Sequence, residues 1–226
     1  MDAIVTPSPA ALSRAVVFDF NGTLSDDEAV LHRVYAELFE EQGRPLSREQ
    51  YAHHLAGLPE QDLVRAWLGD RPDIERLAHL RVDRYRELVY DGSTITGDVR
   101  EAVRYAASRV PVAIVSGASA SEIGPVIAAA GIAGEFSAVV TADDVVRGKP
   151  HPEGALRALE LLRAGDPGLA AGDVVVLEDT EVGVAAARAA GMRTIAVLGT
   201  MPPDRLAAAD ELVERIDPAL MRRLVG

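Results

Sequence analysis

Short, strongly apolar runs recur along the chain and alternate with amphipathic helical segments. Five runs predict buried β-strands, at residues 15–18, 110–115, 138–141, 174–177 and 194–198. Helical periodicity follows the second, third and fourth of these runs. Residues 99–108, before the second run, show it as well. Strands that alternate with helices at this spacing predict right-handed βαβ units and a parallel sheet. The predicted fold class is therefore α/β.

The stretch from residue 26 to residue 91 breaks this alternation. Its apolar spacing predicts helices only, over residues 27–42, 47–55, 60–68 and 73–90, with loops that contain Gly and Pro between them. An all-helical block inserted after the first strand predicts a cap over the edge of the sheet. We therefore expect a Rossmann-like parallel sheet core formed by residues 1–25 and 92–226, and a helical cap formed by residues 26–91.

Composition excludes several classes of function. The formal net charge of −12 over 226 residues argues against nucleic acid or an anionic membrane as a partner. The absence of cysteine excludes disulfides, thiolate metal sites and a cysteine nucleophile. No apolar run approaches the roughly 20 residues that span a bilayer, and residues 1–13 lack the pattern of a signal peptide. We expect a cytoplasmic protein and, by default, a monomer.

Polar residues that could carry chemistry stand where the predicted strands end. Asp19 follows the first strand, Ser116 the second, and the pair Glu178 and Asp179 the fourth. Because the carboxyl ends of parallel strands meet at one edge of a sheet, we expect these side chains to share a site. The only lysine of the chain, Lys149, stands between Gly and Pro on a loop that cannot be helical.

Each signal taken alone has a common structural explanation. Asp19 could cap a strand-to-loop turn, Ser116 could cap a helix, Lys149 could sit in a surface turn, and the acidic pair could be solvated. Chemistry offers a second explanation for each. Adjacent buried carboxylates are costly without a cation, and Mg²⁺ takes one or two protein carboxylates together with phosphate oxygens. A hydroxyl at a helix start and a lysine ammonium suit phosphate.

In order along the chain, the four signals resemble the motifs of the haloacid dehalogenase superfamily. The resemblance covers essentially the whole chain, and the helical insertion points to the branch that includes β-phosphoglucomutase and phosphoglycolate-type phosphatases. The motifs that carry it are Asp19-Phe20-Asn21-Gly22-Thr23, Val115-Ser116-Gly117, Gly148-Lys149-Pro150 and Glu178-Asp179. The resemblance implies a Mg²⁺-dependent phosphatase that acts on a small phosphorylated sugar, polyol or hydroxy acid.

The resemblance also implies a role for each motif residue. Asp19 would attack phosphorus and form an aspartyl-phosphate. Mg²⁺ would be held by the Asp19 carboxylate, the main-chain carbonyl of Asn21 and Asp179, with Glu178 binding directly or through water. The phosphoryl oxygens would be bound by Ser116, Gly117 and Lys149.

One motif residue departs from the family pattern. Asn21 stands where family phosphatases carry an aspartate that protonates the leaving group, and an amide cannot exchange a proton at neutral pH. Three explanations stay open: an inactivated form, a natural variant for good leaving groups, or proton transfer by His32, Asp26, His53 or His54. We expect Asn21→Asp to raise turnover at least about tenfold unless another residue already supplies the proton.

The cap would choose the substrate, and its candidate contacts are Gly57, Glu60 and Arg65. A β-phosphoglucomutase-like mutase is an alternative, but Glu60 stands where such a mutase needs a cap arginine. Arg81 and Arg84 could still bind a second anion, although exposed helix arginines usually face solvent. A catalytically impaired module that binds a phosphorylated metabolite is the other alternative.

Overall fold

A computed structural model describes residues 12–56, 58 and 60–226, without the side chains of residues 60 and 61. A parallel sheet of six strands forms its centre, in the order β3-β2-β1-β4-β5-β6. The strands are β1 Ala15–Phe18, β2 Val112–Val115, β3 Ala138–Val140, β4 Val174–Glu178, β5 Arg193–Val197 and β6 Glu211–Val213. The α/β fold class predicted from the sequence is confirmed.

The central strand β1 is flanked by β2 and β4, and this order positions the functional residues. Phe18 aligns with Ile114 on one side and Leu177 on the other, so the three strands end at the same level. All four side chains of β1 are fully buried because helices cover both faces of the sheet. Successive residues alternate between the two faces, with Val16 and Phe18 in the larger apolar core and Ala15 and Val17 in the smaller one.

Nine α-helices accompany the sheet in the described part of the chain. They are α1 Glu28–Glu41, α2 Arg48–His54, α3 Glu60–Leu68, α4 Ile74–Val89, α5 Gly97–Ala107, α6 Ala120–Ala129, α7 Glu153–Leu162, α8 Glu181–Ala189 and α9 Pro218–Val225. Short 3₁₀ turns occur at Ala133–Glu135, Ala142–Asp144 and Ala171–Asp173. None of the helices searched has the length and apolarity that a membrane span requires.

The sequence analysis did not predict the last two elements, β6 and α9. Strand β6 has three residues, none of them fully buried, so it lacks the continuous apolar run that identifies the other strands. Helix α9 packs against α5 and starts at a clear cap, because the Asp217 carboxylate accepts a hydrogen bond from the Leu220 main-chain N–H at 2.8 Å.

Helices α1 to α4 lie within residues 26–91, where the sequence predicts helices only, and we call them the helical insertion. Its helix α1 packs on α4, and α4 contacts α6 of the sheet-bearing part. The division into a core of residues 1–25 and 92–226 and a cap of residues 26–91 stays a prediction, to which the proposed function returns.

A buried ion pair joins α4 to α6. An Arg81 guanidinium nitrogen lies 2.5 Å from a Glu122 carboxylate oxygen, and the two side chains are 7% and 1% exposed. The Arg81 guanidinium also lies over the rings of Tyr35 and Tyr85, at 5.7 and 5.9 Å from their centroids. Arg81 is therefore not an exposed helix arginine that faces solvent, because helix packing buries it against a carboxylate.

We predict that Arg81→Met lowers the free energy of unfolding by about 3 kcal/mol, because it leaves the Glu122 carboxylate buried without its cation. The matched control is Arg84→Met on the same helix, whose partner Glu41 is half exposed at 2.8 Å. The control substitution should lower the free energy of unfolding by less than about 1 kcal/mol. Urea denaturation followed by circular dichroism measures both, and equal losses would contradict the prediction.

Candidate active site

A cavity of about 1050 Å³ opens at the carboxyl edge of the sheet, beneath the helical insertion. The ends of β1, β2 and β4 contribute Asp19, Ser116 and Asp179 to its wall. Helices α1 and α2 contribute Glu28 and Tyr51 from the opposite side. The cavity therefore has polar groups on the sheet side and a partly apolar wall on the helical side, which is typical of a small-molecule site.

Lys149 connects the carboxylates of two different strand ends. Its ammonium donates a hydrogen bond to Asp19 Oδ1 at 2.5 Å and another to Glu178 Oε1. The Asp19 and Glu178 side chains are 8% and 2% exposed, and that of Lys149 is 19% exposed. The single lysine of the chain thus lies at the predicted site: its backbone belongs to a turn between the exposed residues Gly148 and Pro150, but its ammonium is directed inward to Asp19 and Glu178.

The charges of this cluster do not balance. Burial is the largest influence on the pKa of Asp19 and raises it, the Lys149 ammonium lowers it and the Glu178 carboxylate raises it, with a net rise to about 7. Burial by itself lowers the pKa of Lys149, but the carboxylates of Asp19 and Glu178 outweigh it and raise that pKa. An ionised Asp19 at neutral pH therefore calls for more positive charge than Lys149 provides.

Glu178 is held in place by the start of α8. Its Oε2 accepts hydrogen bonds from the main-chain N–H groups of Asp179 and Thr180 at 2.9 Å each, and from the Thr180 hydroxyl at 2.8 Å. A Cβ atom at Gly183 would lie 1.8 Å from Glu178 Oε1. The helix therefore needs glycine there, and the fixed carboxylate directs Oε1 at Lys149.

Asp179 differs from Glu178 because part of its hydrogen-bonding capacity is unused. Its Oδ1 accepts a hydrogen bond from the Thr23 hydroxyl at 3.3 Å, whereas Oδ2 is buried without a partner. Burial and then the neighbouring carboxylates of Glu178 and Asp19 raise the pKa of Asp179 well above its ordinary value. A buried carboxylate oxygen without a donor is costly, so Asp179 suits a cation.

The three carboxylates fit a hard divalent cation. One oxygen from each of Asp19, Glu178 and Asp179 lies within 4.8 Å of the others, and all three residues are buried. An all-oxygen set is what Mg²⁺ prefers in proteins, whereas soft transition metals select sulfur and nitrogen. The predicted Mg²⁺ site is therefore compatible with these residues, and Asp179 Oδ2 is the oxygen with free capacity.

The loop after β1 turns sharply at Gly22, which has a φ of +71°. Its main-chain N–H donates to the Ser25 carbonyl at 2.8 Å, which closes the turn. A Cβ atom at this position would lie 2.0 Å from Asp179 Oδ2. Gly22 is therefore required both by the left-handed backbone and by the close approach of Asp179.

Asn21 is fixed by residues that the sequence analysis did not consider. Its amide nitrogen donates to Asp27 Oδ2 at 2.8 Å and to the Tyr85 hydroxyl at 3.1 Å. The Tyr85 hydroxyl donates to the same Asp27 oxygen, and the Gly22 N–H donates to Asp27 Oδ1 at 3.1 Å. Burial raises the pKa of Asp27 to about 6 despite these donors. The amide of Asn21 therefore holds a buried acid in place.

Ser116 lies where a phosphate-binding hydroxyl is expected. It is 6% exposed and lines the cavity together with Gly117, and its hydroxyl oxygen accepts a hydrogen bond from the Ala118 N–H at 3.1 Å. Helix α6 begins after Ser119, which donates to Glu122 from its N–H and its hydroxyl. The capping explanation for Ser116 therefore fails, because Ser119 is the N-cap residue.

The four residues considered as proton donors are absent from the described cavity wall. Asp26 is exposed, and His53 and His54 are exposed at the end of α2. The Nε2 atom of His32 is buried without a partner outside the cavity. The structure instead places Glu28 in the wall, and its position directly after two other acids was the signal available in the sequence.

The candidate substrate contacts of the helical insertion are only partly described. Gly57 lies outside the described residues, and so does the side chain of Glu60. Arg65 is absent from the described cavity wall, and it forms ion pairs with Asp62 and Asp70 at 2.9 Å each. These two carboxylates engage Arg65 on the surface of α3, so its role as a substrate contact has no support from its position.

Comparison with known proteins identifies the family. Residues 13–191 match the haloacid dehalogenase-like hydrolases. The chain belongs to this family. It is 32% identical to Protein CbbY of Rhodobacter capsulatus over 80% of this chain and 84% of the relative. It is 29% identical to the phosphoglycolate phosphatase of Pectobacterium atrosepticum, over 80% and 79% of the two chains.

A solved structure shows the same fold. The crystal structure of CbbY from Rhodobacter sphaeroides with xylulose-(1,5)-bisphosphate superposes with a TM-score of 0.81 at 24% identity, covering 95% of this chain and all of the other. The resemblance stated from the sequence is confirmed, including the branch that contains phosphoglycolate phosphatases. The chain is a hydrolase of this family, and its phosphatase-named relatives support a phosphoric monoester hydrolase.

We predict that Gly22→Ala abolishes binding of Mg²⁺, because the added methyl group displaces Asp179. Gly43→Ala is the matched control, since Gly43 has a φ of +74° and open space around its Cβ position. Both changes should lower the free energy of unfolding by about 1 kcal/mol, because alanine is strained in the left-handed backbone conformation. The rise in melting temperature on addition of Mg²⁺ should vanish for Gly22→Ala only, and its persistence would contradict the prediction.

Proposed function

We propose that the chain is a Mg²⁺-dependent phosphatase that hydrolyses a small phosphorylated metabolite through an aspartyl-phosphate on Asp19. The observation that carries this proposal is the hydrogen bond between the Lys149 ammonium and Asp19 Oδ1, in a buried cluster that also contains Glu178 and Asp179. The relatives named as phosphoglycolate phosphatases support a sugar, polyol or hydroxy-acid phosphate as the substrate class.

We assign residues 26–91 to the cap and residues 1–25 and 92–226 to the core. The cavity wall combines side chains of α1 to α4 with the ends of the strands, which supports this division. A phosphate bound at Asp19 would direct its leaving group toward the helical insertion. The cap would therefore exclude water from the reacting phosphoryl group and select the leaving group.

The residues of the core would act on the phosphoryl group. Asp19 would form a bond to phosphorus while the bond to the ester oxygen breaks, and water would later break the aspartyl-phosphate. Lys149, the Ser116 hydroxyl and the Gly117 N–H would bind phosphoryl oxygens and stabilise their charge. Asp19, the main-chain carbonyl of Asn21 and Asp179 would hold Mg²⁺, which supplies further positive charge to the phosphoryl oxygens.

Glu178 has a supporting role in this scheme. Three donors occupy its Oε2 and Lys149 occupies its Oε1, so it has little capacity for direct binding of a metal ion. We propose that it orients the Lys149 ammonium toward Asp19 and contacts Mg²⁺ through water. It thereby fixes the position of the positive charge before substrate arrives, which lowers the cost of reorganisation during the reaction.

A mutase is less favoured because it must hold a second phosphate group. The described cavity wall has three basic side chains of Lys or Arg type, and each is already paired with a carboxylate. Arg81 pairs with Glu122, Arg147 with Glu153 at 3.4 Å, and Lys149 with Asp19 and Glu178. A first phosphate bound at Asp19 and Lys149 would therefore leave only Arg81 and Arg147, each engaged by another carboxylate, to hold a second one in the described cavity wall.

We predict multiple turnovers of p-nitrophenyl phosphate in the presence of Mg²⁺, and none after addition of EDTA. Asp19→Asn should reduce the rate by roughly 10³-fold or more, because it removes the nucleophile. Asp98→Asn, an exposed acid at the start of α5, is the control and should leave the rate unchanged. A single burst of product per chain would indicate a trapped aspartyl-phosphate, and no product would favour the binding module.

The substrate class requires a second measurement. A panel of phosphorylated sugars, polyols and hydroxy acids should contain compounds that release inorganic phosphate faster than p-nitrophenyl phosphate does, because the cap selects the leaving group. Phosphoglycolate is a small member of this panel, and glucose 6-phosphate is a large one. Equal rates across the panel would argue against selection by the cap.

A further inference from the structure

The proposed reaction needs a proton that Asn21 cannot supply. The ester oxygen that leaves phosphorus becomes an alkoxide unless an acid protonates it, and general acid–base catalysis is typically worth about 10²–10⁴-fold. The amide nitrogen of Asn21 donates to Asp27 and to the Tyr85 hydroxyl, so the side chain is fixed by its neighbours. Hydrolysis of an alkyl phosphate would therefore need another group in the cavity to carry the proton.

We compared the carboxylic acids of the described cavity wall as candidate proton donors. Asp19, Glu178 and Asp179 form the buried cluster around Lys149, and Glu122 is paired with Arg81. The remaining members are Glu28, Asp62, Glu75 and Asp143. Of these four, the last three are exposed to solvent, whereas Glu28 is half-buried.

Glu28 has a suitable position for the leaving group. It is the first residue of α1, so its backbone is fixed by a long helix that begins directly after the loop of Asn21. The Tyr51 hydroxyl on α2 lies near enough to the Glu28 carboxyl group to lower its pKa. Glu28 therefore lies in the wall formed by the helical insertion, opposite the sheet edge that carries Asp19, where an ester oxygen would depart.

We propose that Glu28 is the proton-transfer residue of this enzyme and takes over the role of the family aspartate that Asn21 replaces. This inference rests on the proposed phosphatase function. In the first step, the Asp19 carboxylate forms a bond to phosphorus, the bond to the ester oxygen breaks, and that oxygen takes the proton of Glu28. In the second step, the Glu28 carboxylate takes a proton from water, whose oxygen bonds to phosphorus while the bond to Asp19 breaks.

The surroundings of Glu28 suit both steps at neutral pH. Burial raises the pKa of Glu28 to about 7, and the carboxylates of Asp27 and Asp19 raise it as well. The Tyr51 hydroxyl and the Arg48 guanidinium lower it, and Asp179 is the other charged group within range. Burial is the largest cause, and it does not depend on the charge state of the cluster. An acid with a pKa near the working pH can both donate and accept a proton.

The first test separates proton transfer from a structural role. We predict that Glu28→Gln slows formation of the aspartyl-phosphate at least about 100-fold for the alkyl phosphate that the panel above identifies as fastest. Formation from p-nitrophenyl phosphate should change less than about fivefold, because p-nitrophenolate leaves without a proton. Rapid-quench single-turnover measurements give both rates. Glu40→Gln, an exposed glutamate on the same helix, is the control and should change neither rate.

The pH dependence gives a second, independent readout. Saturating Mg²⁺ would keep the Asp19 carboxylate ionised across this pH range. Because Glu28 must be protonated to act as an acid, aspartyl-phosphate formation from the alkyl phosphate under these conditions should fall as the pH rises through about 7. This fall should be absent in Glu28→Gln. Tyr51→Phe removes a hydroxyl group that lowers the pKa of Glu28, so it should move the fall to higher pH.

The possible outcomes distinguish this inference from the proposed function. Turnover that depends on Asp19 but is unaffected by Glu28→Gln would overturn the inference and leave the phosphatase intact. Equal slowing of both substrates in a folded Glu28→Gln variant would also overturn it, as would an unmoved pH profile in Tyr51→Phe. With Glu28 as the donor, Asn21→Asp should change turnover less than about tenfold. An inactive wild type would instead refute the proposed function itself.

Discussion

The buried excess of negative charge at the edge of the sheet is the constraint on which the site depends. Three carboxylates and one ammonium meet below the helical insertion, and burial strengthens every interaction among them. Such a cluster costs free energy unless further positive charge completes it. The glycines that approach it, Gly22 and Gly183, belong to the same arrangement, because any side chain there would displace Asp179 or Glu178.

Much of the fold and the cluster could be predicted from the sequence because both depend on local signals. Strands buried on both faces leave continuous apolar runs, and their order in the sheet brings Asp19, Ser116 and Asp179 to one edge. The network around Asn21 could not be predicted in this way. Tyr85 is 64 residues away in the sequence and reaches Asn21 through the packing of α4, which no periodicity encodes.

Position 21 shows how the loop after β1 accommodates an amide. The amide of Asn21 and the carboxylate of Asp27 form a hydrogen bond of 2.8 Å, which two ionised carboxylates could not form. Asp27 also accepts the Gly22 N–H, so it stabilises the turn that presents Asp19. The amide at position 21 is thus consistent with the fold around it, and the buried acid at position 27 explains why an amide fits.

Helix α4 links this loop to the rest of the site. Tyr85 contacts Asp27 in the loop after β1, and Arg81, one helical turn earlier, pairs with Glu122 near the loop after β2. Movement of the helical insertion away from the sheet would separate Arg81 from Glu122 and would expose a buried cation and a buried carboxylate. It would also break the hydrogen bonds that the Asn21 amide donates to Tyr85 and to Asp27, the N-cap residue of α1. These contacts therefore favour one position of α4 over the cavity, and that position fixes the wall against which a leaving group would rest.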